Sequence, residues 1–183
     1  VEPPVTGGEP AWADNPLDRF LLARLSESGL HPAEEASTET LIRRLSLDLT
    51  GLPPTPEEID AFLGDASADA YQRVVDRLLA SEAFGDHWAR HWFDLSCYAD
   101  LADIQGDVLI RDAWRYRDYV IRAFNEDKPY DRFVQEQIAG DELWPENPEA
   151  LIATAFNRHY ADESNARNLM QRRQEILNDI TDT

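Results

Sequence analysis

Two short runs hold most of the residues able to do chemistry: Trp88-Ala89-Arg90-His91-Trp92-Phe93-Asp94 and Trp114-Arg115-Tyr116-Arg117-Asp118-Tyr119. In the first, His91 shares helical spacing with Phe84, Trp88, Trp92 and Leu95. An imidazole on such an apolar stripe either ligates a metal or donates from one ring nitrogen to a buried acceptor. His87 stands four residues earlier, so both rings face one side of a helix, and Asp94 follows one turn on. Zinc sites use that pair with a third ligand from elsewhere. The Glu that follows the first His in the metalloprotease pattern is missing, because Trp88 occupies its place. In the second run Arg117 falls near the apolar side formed by Ile110, Trp114, Ile121 and Phe124. Burying its charge requires a carboxylate, for which Asp94, Asp100 and Asp141 are candidates; the alternative is a clamp for an anion. Asp100, Asp103 and Asp107 offer oxygens to calcium, but without the alternating spacing of a calcium loop. Ser96-Cys97 lacks a nucleophile elbow. Carboxylates are numerous enough that a glycosidase pair can be drawn almost anywhere, which leaves polysaccharide hydrolysis as the least supported alternative.

The elements that position these residues read as helices throughout. Asn15-Pro16 is a cap followed by proline at the first helical position, and Leu17, Phe20, Leu21 and Leu25 recur until Gly29. Thr38 caps a second helix that ends at Gly51 before Pro53-Pro54. Thr55-Pro56-Glu57-Glu58 is a capping box that opens a short helix through Phe62. Ser67 opens another along Tyr71, Val74, Val75, Leu78 and Leu79. Further helices are expected over 82–99, 107–125, 131–139, 148–158 and 163–180. Period-two alternation is absent, so no strand is expected. The expected fold is all-α, an orthogonal multi-helix bundle with short loops. Residues 1–14, rich in Pro, Gly and Glu, form a linker or arm, and 15–183 form a single domain that continues into a following segment. Trp88, Trp92 and Leu95 are expected to be buried against the helix carrying Trp114 and Ile121.

Composition narrows the functional classes. With 183 residues, five Trp, six Tyr and seven Phe, the chain has the apolar material for a core. Its net charge of -19 arises from missing lysine, since Lys128 stands alone against sixteen arginines. Such a surface is expected to repel nucleic acid and anionic membranes; it reads first as a solvated surface suited to a salty medium, with attraction of a basic protein partner as the alternative. Cys97 is the sole cysteine, so an internal disulfide, a cysteine-based metal cluster and covalent haem attachment within these residues are all excluded. No apolar run reaches the ~18 residues of a membrane span.

Several long motifs stand in order: Asn15 to Ala23, Leu41 to Glu58, Trp88 to Asp94 with Tyr98-Ala99-Asp100, Trp114 to Tyr119, Pro129-Tyr130-Asp131-Arg132-Phe133-Val134, Glu136-Gln137-Ile138-Ala139-Gly140-Asp141, and Leu151 to Phe156. Through them the chain resembles the planctomycete cytochrome-associated domain of unknown function, the second of the PSCyt-type domains. It departs from that pattern at His87, where an arginine is more usual, and over Asp162 to Leu169, which lacks a Gly-Gly-containing acidic loop. The resemblance implies an exported protein, periplasmic or at the cell surface, in which residues following Thr183 lead into a Cys-x-x-Cys-His haem motif. The implied function is a helical module that packs against or supports a c-type haem attached outside these residues, in association with electron transfer. Its partner would be the adjoining cytochrome or downstream domain of the same protein. The residues expected to contact that haem are His91, Trp88, Trp92, Tyr98 and Arg117, with His91 the first candidate for the iron and ahead of His31, His159 and Met170. The competing expectation is a structural or interaction domain, and no catalytic residue is assigned.

Overall fold

The computed structural model describes residues 15–102, 108–159 and 168–182. Among them are nine α-helices, one 3-10 segment and a two-residue antiparallel ladder, so the fold is all-α. The ladder pairs Leu101 with Leu109 and Ala102 with Val108, which corrects the expectation of no strand at all. Its four residues add no layer to the helical fold. The arm expected over 1–14 lies outside the described residues. None of the described helices is long and apolar enough to cross a membrane.

The chain divides into two units, Val1–Ser37 and Thr38–Thr183. In the first, α1 (Pro16–Glu27) starts where Asn15 Oδ1 accepts from the Leu17 amide at 2.9 Å. It ends in a Schellman turn: Gly29 sits at φ 67 while the Gly29 and Leu30 amides donate to Ser26 and Leu25.

The second unit holds α2 (Thr38–Thr50), α3 (Pro56–Leu63), α4 (Ala70–Leu79), α5 (Glu82–Leu95), α6 (Ala113–Asn125), α7 (Tyr130–Leu143), α8 (Pro148–Ala153), the 3-10 segment (Thr154–Arg158) and α9 (Leu169–Asp182). The Thr55–Glu58 capping box forms as expected. The helix expected from Ser67 starts only at Ala70; the Ser67 amide and hydroxyl both donate to the Asp65 carboxylate, the amide at 3.1 Å.

The core lies where α5, α6, α7 and α8 meet, around Ala89, Tyr116, Tyr119, Val120, Ala123, Phe133 and Ala153. This corrects the expected packing of the aromatic helix. Gly85, Ala89 and Ser96 are its buried residues with Trp92 half-buried, whereas Trp88 and Leu95 are exposed. Small residues on α5 let α6 come close. At the joint the Gly85 amide donates to Asn125 Oδ1 at 2.8 Å, and a Cβ on Gly85 would stand 2.6 Å from that side chain. On α6 the buried stripe is Tyr116, Tyr119, Val120 and Ala123, so Trp114 faces outward and Ile121 is only partly buried. Tyrosines replace the expected tryptophan because α7 supplies hydrogen-bond partners for their hydroxyls, which removes most of the cost of burying them.

Two turns set the registers that follow. Cys97 at φ 52 and Asp127 at φ 48 occupy the left-handed positions that end α5 and α6. In each the next amide reaches back five residues, Tyr98 to Phe93 at 3.0 Å and Lys128 to Ala123 at 2.9 Å. The first fold-back lays Tyr98 on Phe93 and Tyr116, with ring centroids 5.0 and 6.0 Å apart. The second points the only lysine toward α7.

Candidate functional site

The expected site residues separate onto two faces of α5. On the outer face Trp88 and His91 are exposed and His87 is half-buried. Their rings form a continuous ridge: His87 to His91 is 5.7 Å between centroids with planes at 84°, and Trp88 lies 5.2 Å from His91 and 6.1 Å from His87. His91 is therefore a surface histidine and not part of an apolar core stripe. His87 rests against the end of α2, where Gly51 at φ 68 has room for no side chain. A Cβ there would stand 2.4 Å from His87 Nδ1.

On the inner face Trp92 belongs to a closed polar triad. Its indole Nε1 donates to Tyr116 Oη at 3.0 Å and to Gln137 Oε1 at 2.9 Å, while the Tyr116 hydroxyl donates to the same Oε1 at 2.6 Å. Gln137 Nε2 in turn donates to the Phe133 carbonyl at 3.1 Å. Burial pushes the Tyr116 phenol up to about 12, so it stays a donor and cannot serve as a base near neutrality. Beside it Tyr98 donates to Asp100 at 2.6 Å, and burial followed by that carboxylate raises its pKa as well.

Arg117 pairs with its neighbour Asp118, from Nη2 to Oδ1 at 3.1 Å, and not with Asp94, Asp100 or Asp141 as expected. The carboxylate is adjacent in sequence and both side chains remain about two-fifths exposed, so the charge never has to be buried. Asp103 and Asp107 lie outside the described residues.

Two features were missed by sequence reasoning. The first is Glu136, buried at 2% exposure, which receives Tyr119 Oη at 2.8 Å and Lys128 Nζ at 2.7 Å on one oxygen and Arg132 Nε at 2.8 Å on the other. Burial acts to raise its pKa, but the donors from Lys128, Arg132 and Tyr119 outweigh it and hold the carboxyl below its ordinary value. The signal was present: one lysine in the whole chain, eight residues before a Glu-Gln pair. The second is His159, whose ring stands edge-on to Tyr116 at 4.5 Å and to Tyr98 at 5.5 Å. Its buried Nδ1 finds no partner among the described residues, and burial lowers its pKa to about 4.

Two hollows accompany these clusters. One of about 400 Å³ lies between α3 and α4, walled by Glu57, Glu58, Asp65, Arg73 and Arg77 over Phe62 and Val74. Glu58 is held below its ordinary value by the Thr55 amide and by Arg77, and Asp65 falls to about 2 through Ser67 and Arg73. Neither can supply the raised-pKa acid that glycoside hydrolysis requires. The other, about 150 Å³, is lined by Trp92, Phe124, Lys128, Tyr130 and Phe133. Haem needs an enclosing slot with a ligand facing into it. Neither hollow is lined by an imidazole, and His91 stands outside both, so these two hollows do not fit an enclosed haem. Among the described residues no group of three or more His, Cys, Asp or Glu side chains converges on a metal position.

These features define an all-α module in which the Trp92, Tyr116 and Gln137 groups and the Glu136 carboxylate are engaged in hydrogen bonds inside, while Trp88 and His91 are exposed on the outer face of α5. A family model described as a protein of unknown function (DUF1549), PSCyt2, matches residues 16–183. The chain therefore belongs to this planctomycete cytochrome-associated family of unknown function. No curated protein and no solved structure matches it.

Proposed function

We propose that this domain is a docking module for an adjoining c-type cytochrome segment of the same exported protein, periplasmic or at the cell surface. The segment seats on the outer ridge of α5 formed by His87, Trp88 and His91. The observation that carries this reading is the ridge itself: an indole and two imidazoles in mutual contact on a helix whose other face already serves the core. Indole and imidazole offer an apolar body with a polar tip, the kind of group that anchors interfaces. The net charge of -19 supports the same reading, since it draws a partner whose contact face is basic. Haem stays with the partner in this reading, and Trp88 and His91 contact its surroundings from outside. Trp92, Tyr98 and Arg117 lie off the ridge and hold the fold beneath it.

The test is to express the gene past the codon for Thr183 together with the haem-attachment machinery, then compare wild type with His91→Ala and Trp88→Ala. Both residues are exposed, and circular dichroism checks that both variants keep the helical fold. The expected result is a coloured protein whose α band or midpoint potential shifts in the variants. A colourless product, or spectra and potentials unchanged in both variants, overturns the proposal. A second reading, a purely structural domain, is favoured by the closed Glu136 and Gln137 clusters, and it predicts that second result.

A further inference from the structure

We infer that His87 and His91 form a two-imidazole site for a borderline divalent cation such as zinc, nickel or copper. The inference does not depend on the docking proposal, because it concerns the α5 ridge of this chain alone. Spacing provides the first step. Residues four apart on a helix are neighbours, and α5 is a regular helix from Glu82 to Leu95. Geometry provides the second. A metal–nitrogen bond of about 2.0–2.1 Å places each ring centroid about 3.2 Å from the ion, so two imidazoles on one tetrahedral cation have centroids about 5.3 Å apart. The observed separation is 5.7 Å with nearly perpendicular planes, and the exposed His91 closes that difference by a small rotation.

The third step is preorganisation by a second element. The three ring atoms of His87 nearest the missing Gly51 side chain are Nδ1, Cε1 and Cγ, so its Nδ1 edge faces the end of α2 and Nε2 lies on the opposite edge. Holding one imidazole in place lowers the ordering cost of chelation. The acidic surface raises the local concentration of cations; Arg90, the nearest cation in sequence, lies about 100° round the helix from His91 and about 60° from His87, on the side of His87 away from His91. With only two protein nitrogens the remaining positions are open to water, so binding is exchangeable and on the micromolar scale, unlike a closed structural zinc site.

The test uses the untagged 183-residue chain. Zinc chloride is titrated by calorimetry, and nickel is titrated against tryptophan emission, which Trp88 beside both rings reports. One ion per chain is expected. His91→Gln removes a ligand from an exposed position and should weaken binding at least ~10-fold, since even an indirect partner of a metal ligand is worth about 10–100-fold. His31→Gln should leave binding unchanged. The inference fails if wild type shows no such site, if His91→Gln binds as well as wild type, which would leave the ion to carboxylates, or if His31→Gln weakens binding equally. Circular dichroism on His91→Gln checks that any loss is not unfolding.

Discussion

At the scale of single residues, His159 and Glu136 show how burial turns titratable groups into structural ones. The His159 imidazole has its pKa lowered from 6.5 to about 4 by burial, so the folded state takes up a proton less readily than the unfolded chain. Stability from this group is therefore complete above about pH 6.5 and is lost as pH falls toward 4. We expect urea unfolding at pH 7 and pH 4.5 to show a drop in wild type that is smaller in His159→Phe, which keeps the edge contacts with Tyr98 and Tyr116 but cannot charge. An equal drop in both proteins would assign the acid sensitivity to carboxylates. The role of His159 is not legible in the sequence, whereas the lone Lys128, eight residues before Glu136, is a sequence signal for that cluster. His159 reads as a loop residue, because the tyrosines that enclose it come from the end of α5 and from α6, 61 and 43 positions away. Trp92 was singled out correctly as central, but its partner Gln137 carries no signal of its own until α7 is laid against α6. His91 lies outside the core because the stripe of Phe84, Trp88, His91, Trp92 and Leu95 spans two faces: Phe84 and Trp92 are half-buried on the side of the buried Ala89, and Trp88, His91 and Leu95 are exposed.

Among the elements, helices were legible wherever a side chain caps them. Asn15, Thr55, Ser81 and Asn147 each accept from an amide of the first turn, and those helices begin where the cap requires. Endings were harder. Cys97 holds a left-handed position usually given to glycine, so the sequence offers no stop signal there and the aromatic helix ends four residues before the expected 99, whereas α6 ends at Asn125 as expected although Asp127 holds the same conformation. The helix expected over 131–139 stops at Ala139, where the backbone leaves helical geometry at φ -145 before α7 resumes to Leu143. Gly140, the next residue, depends on α8. A Cβ there would stand 2.3 Å from the Ala150 carbonyl oxygen, a backbone atom that cannot rotate away. Helix propensity alone predicts that Gly140→Ala gains up to about 1 kcal/mol. Overpacking of α7 on α8 reverses the sign, and we expect a loss of about 3 kcal/mol or more in urea unfolding. Gly64→Ala, at φ -78 on an exposed helix end, should stay within about 0.5 kcal/mol. A neutral or stabilising Gly140→Ala would show that α7 and α8 are not in close backbone contact.

On the scale of the whole molecule the dominant quantity is the net charge of -19 over 183 residues. Two opposing contributions respond to salt. The ion pairs are weakened by it, and repulsion among the uncompensated carboxylates is relieved by it. Most of the described pairs lie at the surface: Arg24–Glu27 keeps 82% and 66% of its side-chain exposure, and Arg122–Glu149 keeps 47% and 44%. Pairs of that kind contribute about 0–1 kcal/mol each. The Glu136 cluster differs, with its carboxylate side chain 3% exposed, but a buried cluster is screened much less than a surface one. Relief of repulsion should therefore win. Raising sodium chloride from 10 mM to 0.5 M is expected to increase Tm by roughly 2–4 °C, the shift that about 1 kcal/mol produces in a chain of this size. The measurement is a thermal melt followed by circular dichroism at 222 nm, at pH 7.5, where His159 is neutral in both states and adds no pH term of its own. A Tm that falls with salt would mean that the surface ion pairs, and not the excess of carboxylates, set the electrostatic balance. A rising Tm instead leaves the excess negative charge uncompensated, so that a basic partner can neutralise it, which is the condition the proposed docking on α5 requires.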